Sequence, residues 1–358
     1  MRRRPTKEIR VGSVPIGGKN PIVIQSMTNT DTRDLAATLT QIAALRDAGC
    51  QLVRVAVPDA DAAAALGRLC RDGALPLIAD IHFDYRLALA AIRAGVHGLR
   101  LNPGNIGSRQ RVREVARAAR DGGIPIRVGV NAGSLERDIA ARGGGATAEG
   151  MVESALAQID LLAAENFDQI KISLKASRVP LMIEAYRLLA AQTDYPLHLG
   201  VTEAGTVRGG VVKSAVGIGS LLAEGIGDTI RVSLTGDPTA EIPVARAILD
   251  ALELRANRRE VVSCPTCART GIDVETLAAR VEEKLDTLPA LKRPLSVAVM
   301  GCAVNGPGEA READFGVAGG NGLGVFFAGG RVRAKLREDE LLPALFRAID
   351  EFARDAAE

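Results

Sequence analysis

Cys264-Pro265-Thr266-Cys267 places two thiols on one side of any bound metal. Cys302 follows after a gap of 34 residues, in Gly301-Cys302-Ala303-Val304-Asn305-Gly306-Pro307-Gly308-Glu309. Three chemistries compete for such a set. A redox dithiol needs only the CxxC and leaves Cys302 without a purpose. A structural zinc wants four closed ligands, and no fourth Cys or His lies nearby; the only histidines are His82, His97 and His198. An iron–sulfur cluster held by three thiolates and one weaker ligand fits best, with the Glu309 carboxylate, seven residues past Cys302, as the fourth. Spacing alone prefers the cluster over zinc without deciding between them.

A second set of residues breaks a different rule. Strands of a parallel sheet are covered on both faces and read as unbroken apolar runs. Here they carry charge: Arg54, Arg100, Arg127, Lys171 with Lys175, and Arg231. Polar residues accompany them at Asp80-Ile81-His82, Asn102, Asn131, Ser173, Thr202-Glu203 and Ser233. Most are read in the C-terminal half of their strands or just beyond. Unpaired buried charge costs several kcal/mol per ion. The bland reading is internal pairing with Asp80, Glu203 and Asp228. The cations outnumber those acids, so an anion of two or more charges, such as a diphosphate, is the better reading. Asp80, His82 and Glu203 are then the candidates for proton transfer.

These residues need a frame to hold them. From residue 20 to 250 a short β-rich run and an Ala/Leu/Arg-rich amphipathic stretch alternate. Strands are read at 22–25, 52–55, 75–79, 98–101, 126–130, 169–173, 197–201 and 229–233. Helices are read between them, among them 33–48, 109–121, 148–165 and 214–224. Strict alternation implies a parallel sheet, and eight units close a (β/α)8 TIM barrel; a doubly wound open sheet is the runner-up. Barrel enzymes place their sites at the C-terminal strand ends. Glu8–Gly18 reads as a hairpin plugging the opposite end. The charged stretch Arg255–Glu260 reads as a linker. A smaller α+β domain with the cysteines follows, giving domains 1–256 and 257–358. Gly319-Gly320-Asn321-Gly322-Leu323-Gly324 reads as hairpin turns rather than a nucleotide loop, and Gly217-Ile218-Gly219 as helix packing. Cys50 and Cys70 read as packing residues.

The 358 residues are 47% hydrophobic and 25% charged, with a net charge of +2. That balance gives no support for a nucleic-acid or membrane-surface partner. No apolar run of 18 residues is present, so no transmembrane helix is expected. Met1-Arg2-Arg3-Arg4 is basic, but no apolar stretch follows, so no secretory signal is read. Five irregularly spaced cysteines then suggest reduced thiols and a cytoplasmic location.

On five stretches the chain resembles the 4-hydroxy-3-methylbut-2-en-1-yl diphosphate synthases, in their bacterial two-domain form. They are Gln25-Ser26-Met27-Thr28-Asn29-Thr30, Ala79-Asp80-Ile81-His82-Phe83, Arg100-Leu101-Asn102-Pro103-Gly104-Asn105, Ser263 to Thr270, and Gly301 to Glu309. The resemblance implies reductive ring opening and dehydroxylation of 2-C-methyl-D-erythritol 2,4-cyclodiphosphate to 4-hydroxy-3-methylbut-2-enyl diphosphate. It implies a [4Fe–4S] cluster on Cys264, Cys267, Cys302 and Glu309. It implies diphosphate binding by Arg54, Arg100, Asn102, Arg127, Asn131, Lys175, Arg231 and Ser233. Asp80, His82 and Glu203 match positions near the reacting carbons, with Glu203 the first choice of acid and His82 the second. No flavin or nicotinamide motif is read, so flavodoxin or ferredoxin is the expected electron donor. A head-to-tail homodimer is also implied.

Overall fold

The computed structural model describes the chain apart from Met1, Ala290, Ala303 to Pro307, Glu309, Asn321, Glu358 and the side chain of Ala357. It divides into two compact units, Met1–Leu252 and Glu253–Glu358.

The first unit opens with an antiparallel hairpin, β1 (Ile9–Val11) and β2 (Val14–Ile16). Eight parallel strands follow: β3 (Val23–Met27), β4 (Leu52–Ala56), β5 (Leu77–Asp80), β6 (Gly98–Arg100), β7 (Ile126–Asn131), β8 (Ile170–Lys175), β9 (His198–Leu199) and β10 (Thr229–Ile230). Their order is β8-β7-β6-β5-β4-β3-β10-β9. A parallel bridge from Ile172 to Leu197 joins the two ends of that order into a ring. This is the expected (β/α)8 barrel. Ile9, Val11 and Ile16 of the hairpin pack on Val23, Leu52 and Ile78, at the N-terminal ends of β3, β4 and β5. The hairpin therefore plugs the end opposite the strand C-termini, leaving that far end for a site.

Each crossover helix is set by local chemistry. Asp34, Asp59 and Thr147 cap their helices by accepting from Ala37 N, Ala62 N and Gly150 N, which satisfies amides that the first turn leaves open. The helix Arg109–Asp121 buries Val112, Val115, Ala116 and Ala119, an i, i+3, i+4, i+7 stripe against the sheet. Each buried Val contributes about 1.5–3 kcal/mol.

Three local expectations change. The strands read at 197–201 and 229–233 keep ladder geometry for only two residues each; beyond them the chain continues as loops that carry polar residues. The helix read from 214 begins at Val207. Gly210 fits there because a Cβ on it would lie 2.6 Å from Leu234, so the close approach demands the small residue. Gly217 is likewise pressed on Val201 and Met182. An unanticipated short helix, Arg137–Arg142, follows β7; six residues are too few to show a period.

The second unit is one sheet in the order β11 (Arg259–Ser263), β12 (Leu295–Met300), β13 (Phe315–Gly320), β14 (Leu323–Ala328) and β15 (Arg331–Arg337). β11, β12 and β13 run parallel, and the last three form antiparallel hairpins. Arg259 and Glu260, read as linker, belong to β11. Helices Val274–Asp286 and Glu338–Ala357 share a core with the sheet through Val281, Leu285, Val297, Val317, Leu345 and Ile349. Among the described residues no helix is long and apolar enough to cross a membrane.

Candidate active site

Four barrel strands bring charge into one row. Asp80 is in register with Arg100, Arg100 with Arg127, and Arg127 with Lys171. Directly paired residues of neighbouring strands project to the same face. All four are buried, and Lys171 of β8 feels the charge of Arg54 on β4, across the ring, so the face is the barrel interior. Ser173 and Lys175 follow Lys171 at two-residue spacing and are buried with it. From β4, Arg54 reaches Asp80 with Nε 3.6 Å from Oδ2. Arg100 Nη1 lies 3.3 Å from the other carboxylate oxygen. Arg54 also donates to Met27 Sδ, from Nη2 at 2.9 Å. Two glycines make room. A Cβ on Gly129 would sit 3.0 Å from Arg100 Nε, and one on Gly200 would sit 3.1 Å from Lys175 Nζ.

Arg231 follows β10 and is held by Glu241, with Nη2 to Oε1 at 3.2 Å. Glu241 also accepts from Ser26 Oγ at 2.8 Å and from the Leu234 amide at 3.2 Å. Its carboxylate is 2% exposed. The sequence reading missed it. A Glu opening a helix after Pro238 reads as an ordinary N-terminal carboxylate, and only the fold turns it inward.

Of the six basic residues Arg54, Arg100, Arg127, Lys171, Lys175 and Arg231, the first two thus pair with the buried carboxylate Asp80 and the last with the buried carboxylate Glu241. Of the expected internal partners, Asp80 does pair with Arg54 and Arg100. Asp228 instead binds Arg3 at 2.8 Å, and Glu203 is exposed. Arg127 and Lys171 also sit at the second position of their strands, not in the C-terminal half. Charge therefore extends deeper into the barrel than expected. Arg127 Nε and Nη1, and Lys171 Nζ, are buried with no hydrogen-bond partner among the described residues.

The titration behaviour follows from this crowding. Burial pushes the Arg54 guanidinium down to about 10, Asp80 opposing it and Arg231 and Arg100 adding to it. Burial and then Arg127 press Lys175 well below an ordinary lysine. Burial alone would raise the Asp80 carboxyl. Arg54, the His82 contact, Arg100 and Arg127 outweigh it and hold the group well below the usual carboxylate range. Asp80 is therefore the ionised counter-ion of the arginines. Such an excess of buried cation suits a compact polyanion.

The remaining expected residues lie around this cluster. Asn102 accepts from the Gly129 amide at 2.8 Å. Asn131 ends β7, and Ser233 lies three residues past β10, both half-buried. His82 is exposed, its Nε2 3.7 Å from Asp80 and its Nδ1 3.3 Å from Arg100 Nη1. Glu203 has φ +51°, a left-handed backbone that costs a non-glycine residue free energy and recurs at functional loops.

In the second unit Cys264 follows β11 and Cys302 lies two residues past β12. These strands are parallel neighbours, with Ser263 beside Val299, so both thiols emerge at one end of the sheet. Cys264 and Cys302 are half-buried and Cys267 is exposed. The turn that follows Cys267 is held by Thr270, whose Oγ1 accepts from Cys267 N at 3.0 Å and whose amide donates to Cys267 O at 2.9 Å. Gly301 N donates to Cys264 Sγ at 3.1 Å, a contact that stabilises a thiolate and tunes a cluster. A Cβ on Gly301 would strike Thr270 at 2.8 Å. Among the described residues no three His, Cys, Asp or Glu side chains converge on a single ion. A cubane cluster does not require that, because each thiolate binds a different iron. The donor set of three thiols, with an amide aimed at one sulfur, fits such a cluster. Glu309 lies outside the described residues. Cys50 is buried and Cys70 half-buried, and burial pushes both thiols up to about 11, as for packing residues.

Comparison with known proteins agrees on both units. Residues 6–246 match the GcpE TIM-barrel domain and residues 260–351 the GcpE protein C-terminal domain. A 4-hydroxy-3-methylbut-2-en-1-yl diphosphate synthase (flavodoxin) of Geobacter sulfurreducens is 57% identical over 345 residues, 96% of this chain and 97% of that protein. The enzyme of that name from Caldanaerobacter subterraneus is 54% identical, covering 99% of each chain. Among solved structures, 3-dehydroquinate dehydratase from Geobacillus kaustophilus covers 72% of this chain and all of its own, with a TM-score of 0.51 at 15% identity, a likeness of fold alone. The chain belongs to the GcpE family, that of the 4-hydroxy-3-methylbut-2-en-1-yl diphosphate synthases, and is an oxidoreductase.

Proposed function

We propose that this enzyme converts 2-C-methyl-D-erythritol 2,4-cyclodiphosphate to 4-hydroxy-3-methylbut-2-enyl diphosphate. The observation that carries the reading is the barrel cluster of Arg54, Arg100, Arg127, Lys175 and Arg231 against two buried carboxylates, Asp80 and Glu241. Arg54, Arg100, Arg127, Lys175 and Arg231 neutralise the cyclic diphosphate, and Asn102, Asn131 and Ser233 add neutral polar groups. The ring C–O bond opens, and the diphosphate departs from one carbon while staying bound through the other. Two electrons and two protons enter, and the C3 hydroxyl leaves as water. Glu203 is the acid for that loss, on its exposed left-handed turn. His82 is the second choice. Cys264, Cys267, Cys302 and Glu309 would hold a [4Fe–4S] cluster, which would provide one-electron reducing chemistry.

The donor is a separate flavodoxin- or ferredoxin-type protein; the similar enzymes named above carry flavodoxin in their names. A homodimer is the expected assembly, and sedimentation of the purified chain tests it.

The deciding experiment is an anaerobic assay of the cyclodiphosphate with a strong one-electron reductant. A brown protein absorbing near about 410 nm, as iron–sulfur charge transfer gives, should form the linear diphosphate. A colourless protein with stoichiometric zinc would favour a barrel hydrolase. A brown protein without turnover would favour a redox sensor. Glu309→Ala should keep much of the cluster and lose most turnover; full activity would remove Glu309 from the ligand set.

A further inference from the structure

Beneath the arginines lies an amine that the proposed chemistry does not use. Lys171 is 2% exposed, and its Nζ has no hydrogen-bond partner among the described residues. An ammonium there would bring three donors and no acceptor. Its in-register neighbour on β7 is Arg127, itself with two unpartnered nitrogens. The acid at that level, Asp228, is already engaged by Arg3 at 2.8 Å, Thr6 Oγ1 at 3.0 Å and the Leu197 amide at 2.8 Å. Arg54 from β4 and His198 from β9 also act on this level, and Arg100 of β6 and Asp80 of β5 continue its register row; Lys175 lies four residues further along the strand, and Arg231 stands at the open end. His198 Nδ1 is spent on Thr229 Oγ1 at 2.7 Å.

We propose that Lys171 is a positioning residue of the anion site, which takes up a proton when a doubly charged anion enters above it. Without the anion, a charged Lys171 would face Arg127 and Arg54, and Asp228, the acid that acts on it among the described residues, is already engaged. With the anion in place their field is cancelled and the ammonium becomes the favoured form. The proton adds one positive charge under the anion and holds Arg127 toward the mouth. Crowding agrees with this: burial, then Arg127, pushes Lys171 down to about 7, with Asp228 opposing. Lys175 and His198 are pushed well down by burial and the same cations, so they compete for the proton and are controls.

The inference rests on the anion-site reading of the barrel, and one titration separates the two. The cyclodiphosphate carries one strongly acidic group on each phosphorus and none that titrates near neutrality. Protons taken up at pH 8 therefore belong to the protein. Calorimetric titration of the full chain in buffers of different ionisation enthalpy counts them. Wild type should take up protons on binding. Lys171→Met should lose about one of them at pH 8, because a group of pKa about 7 is mostly deprotonated there. The Lys171 contribution should weaken wild-type binding about fivefold from pH 7 to pH 8, and that part of the slope should vanish in the variant. Lys171→Arg, a fixed cation, should also lose the uptake yet bind more tightly at pH 8 than Lys171→Met; it carries the test if Lys171→Met does not fold. No binding at all would sink the anion-site reading itself. Binding with no proton uptake in wild type overturns the role of Lys171. Uptake that persists undiminished in Lys171→Met does the same, giving the proton to His198 if it disappears in His198→Gln and to Lys175 if it does not.

Discussion

Asp80→Asn should destabilise the barrel severely and make it unusually dependent on anions. The carboxylate lies 3.3 Å from Arg100 Nη1 and 3.6 Å from Arg54 Nε, and all three side chains are buried. At that separation one pair is worth about 4 kcal/mol at an effective dielectric of about 20. Desolvation and the repulsion between the arginines offset part of it. Removing one partner of a buried pair costs about 3–5 kcal/mol, and that is the expected loss. The asparagine also turns an amide donor toward guanidiniums that can only donate. The assay is urea unfolding of the barrel transition at pH 7 and low salt, with and without inorganic pyrophosphate. Pyrophosphate should stabilise the variant more than wild type, because it replaces the lost counter-charge. The native Asp80 carboxyl titrates well below its unfolded value. Its stabilisation is therefore fully present above about pH 4 and fades as pH falls below that. The difference between the two proteins should be flat from pH 6 to 8 and shrink in acid. A loss under about 1 kcal/mol, with equal pyrophosphate effects, would refute the counter-ion argument, since an exposed pair is worth no more than that.

Glu241→Gln should release Arg231 from its 3.2 Å ion pair and cost about 3–5 kcal/mol as a broken buried pair; unchanged urea midpoints would contradict this. Gly200→Ala places a Cβ 2.7 Å from the Arg231 carbonyl and 3.1 Å from Lys175 Nζ. Overpacking of that kind costs about 1–3 kcal/mol, and displacement of Lys175 and of the backbone that carries Arg231 should raise KM more than it lowers kcat; steady-state kinetics decides. Cys302→Ser should lose the cluster, and iron at the wild-type level would overturn the ligand assignment. Gly301→Ala should push Thr270 off the Cys267 turn, giving a cluster that forms yet is lost faster on exposure to air, read as the decay of visible absorbance.

The alternation of strands and helices was legible because it is local. A strand needs a few β-branched residues, a helix needs a stripe and a cap, and eight repeats leave a closed ring. The cations were legible too, because charge inside an apolar run is conspicuous. The cysteines carried a family through their neighbours rather than their spacing. What the chain order left undetermined was pairing. Asp228 and Glu241 are both buried acids beside barrel strands, yet Asp228 serves Arg3 at the plugged end while Glu241 serves Arg231 at the open end. Strand register decided that Arg127 and Lys171 lie in one row, and barrel closure left Lys171 with neighbours of its own sign. Those are facts of three-dimensional proximity between residues far apart in sequence. Electrostatic energy depends on distance and dielectric, and neither is written in the order of the residues.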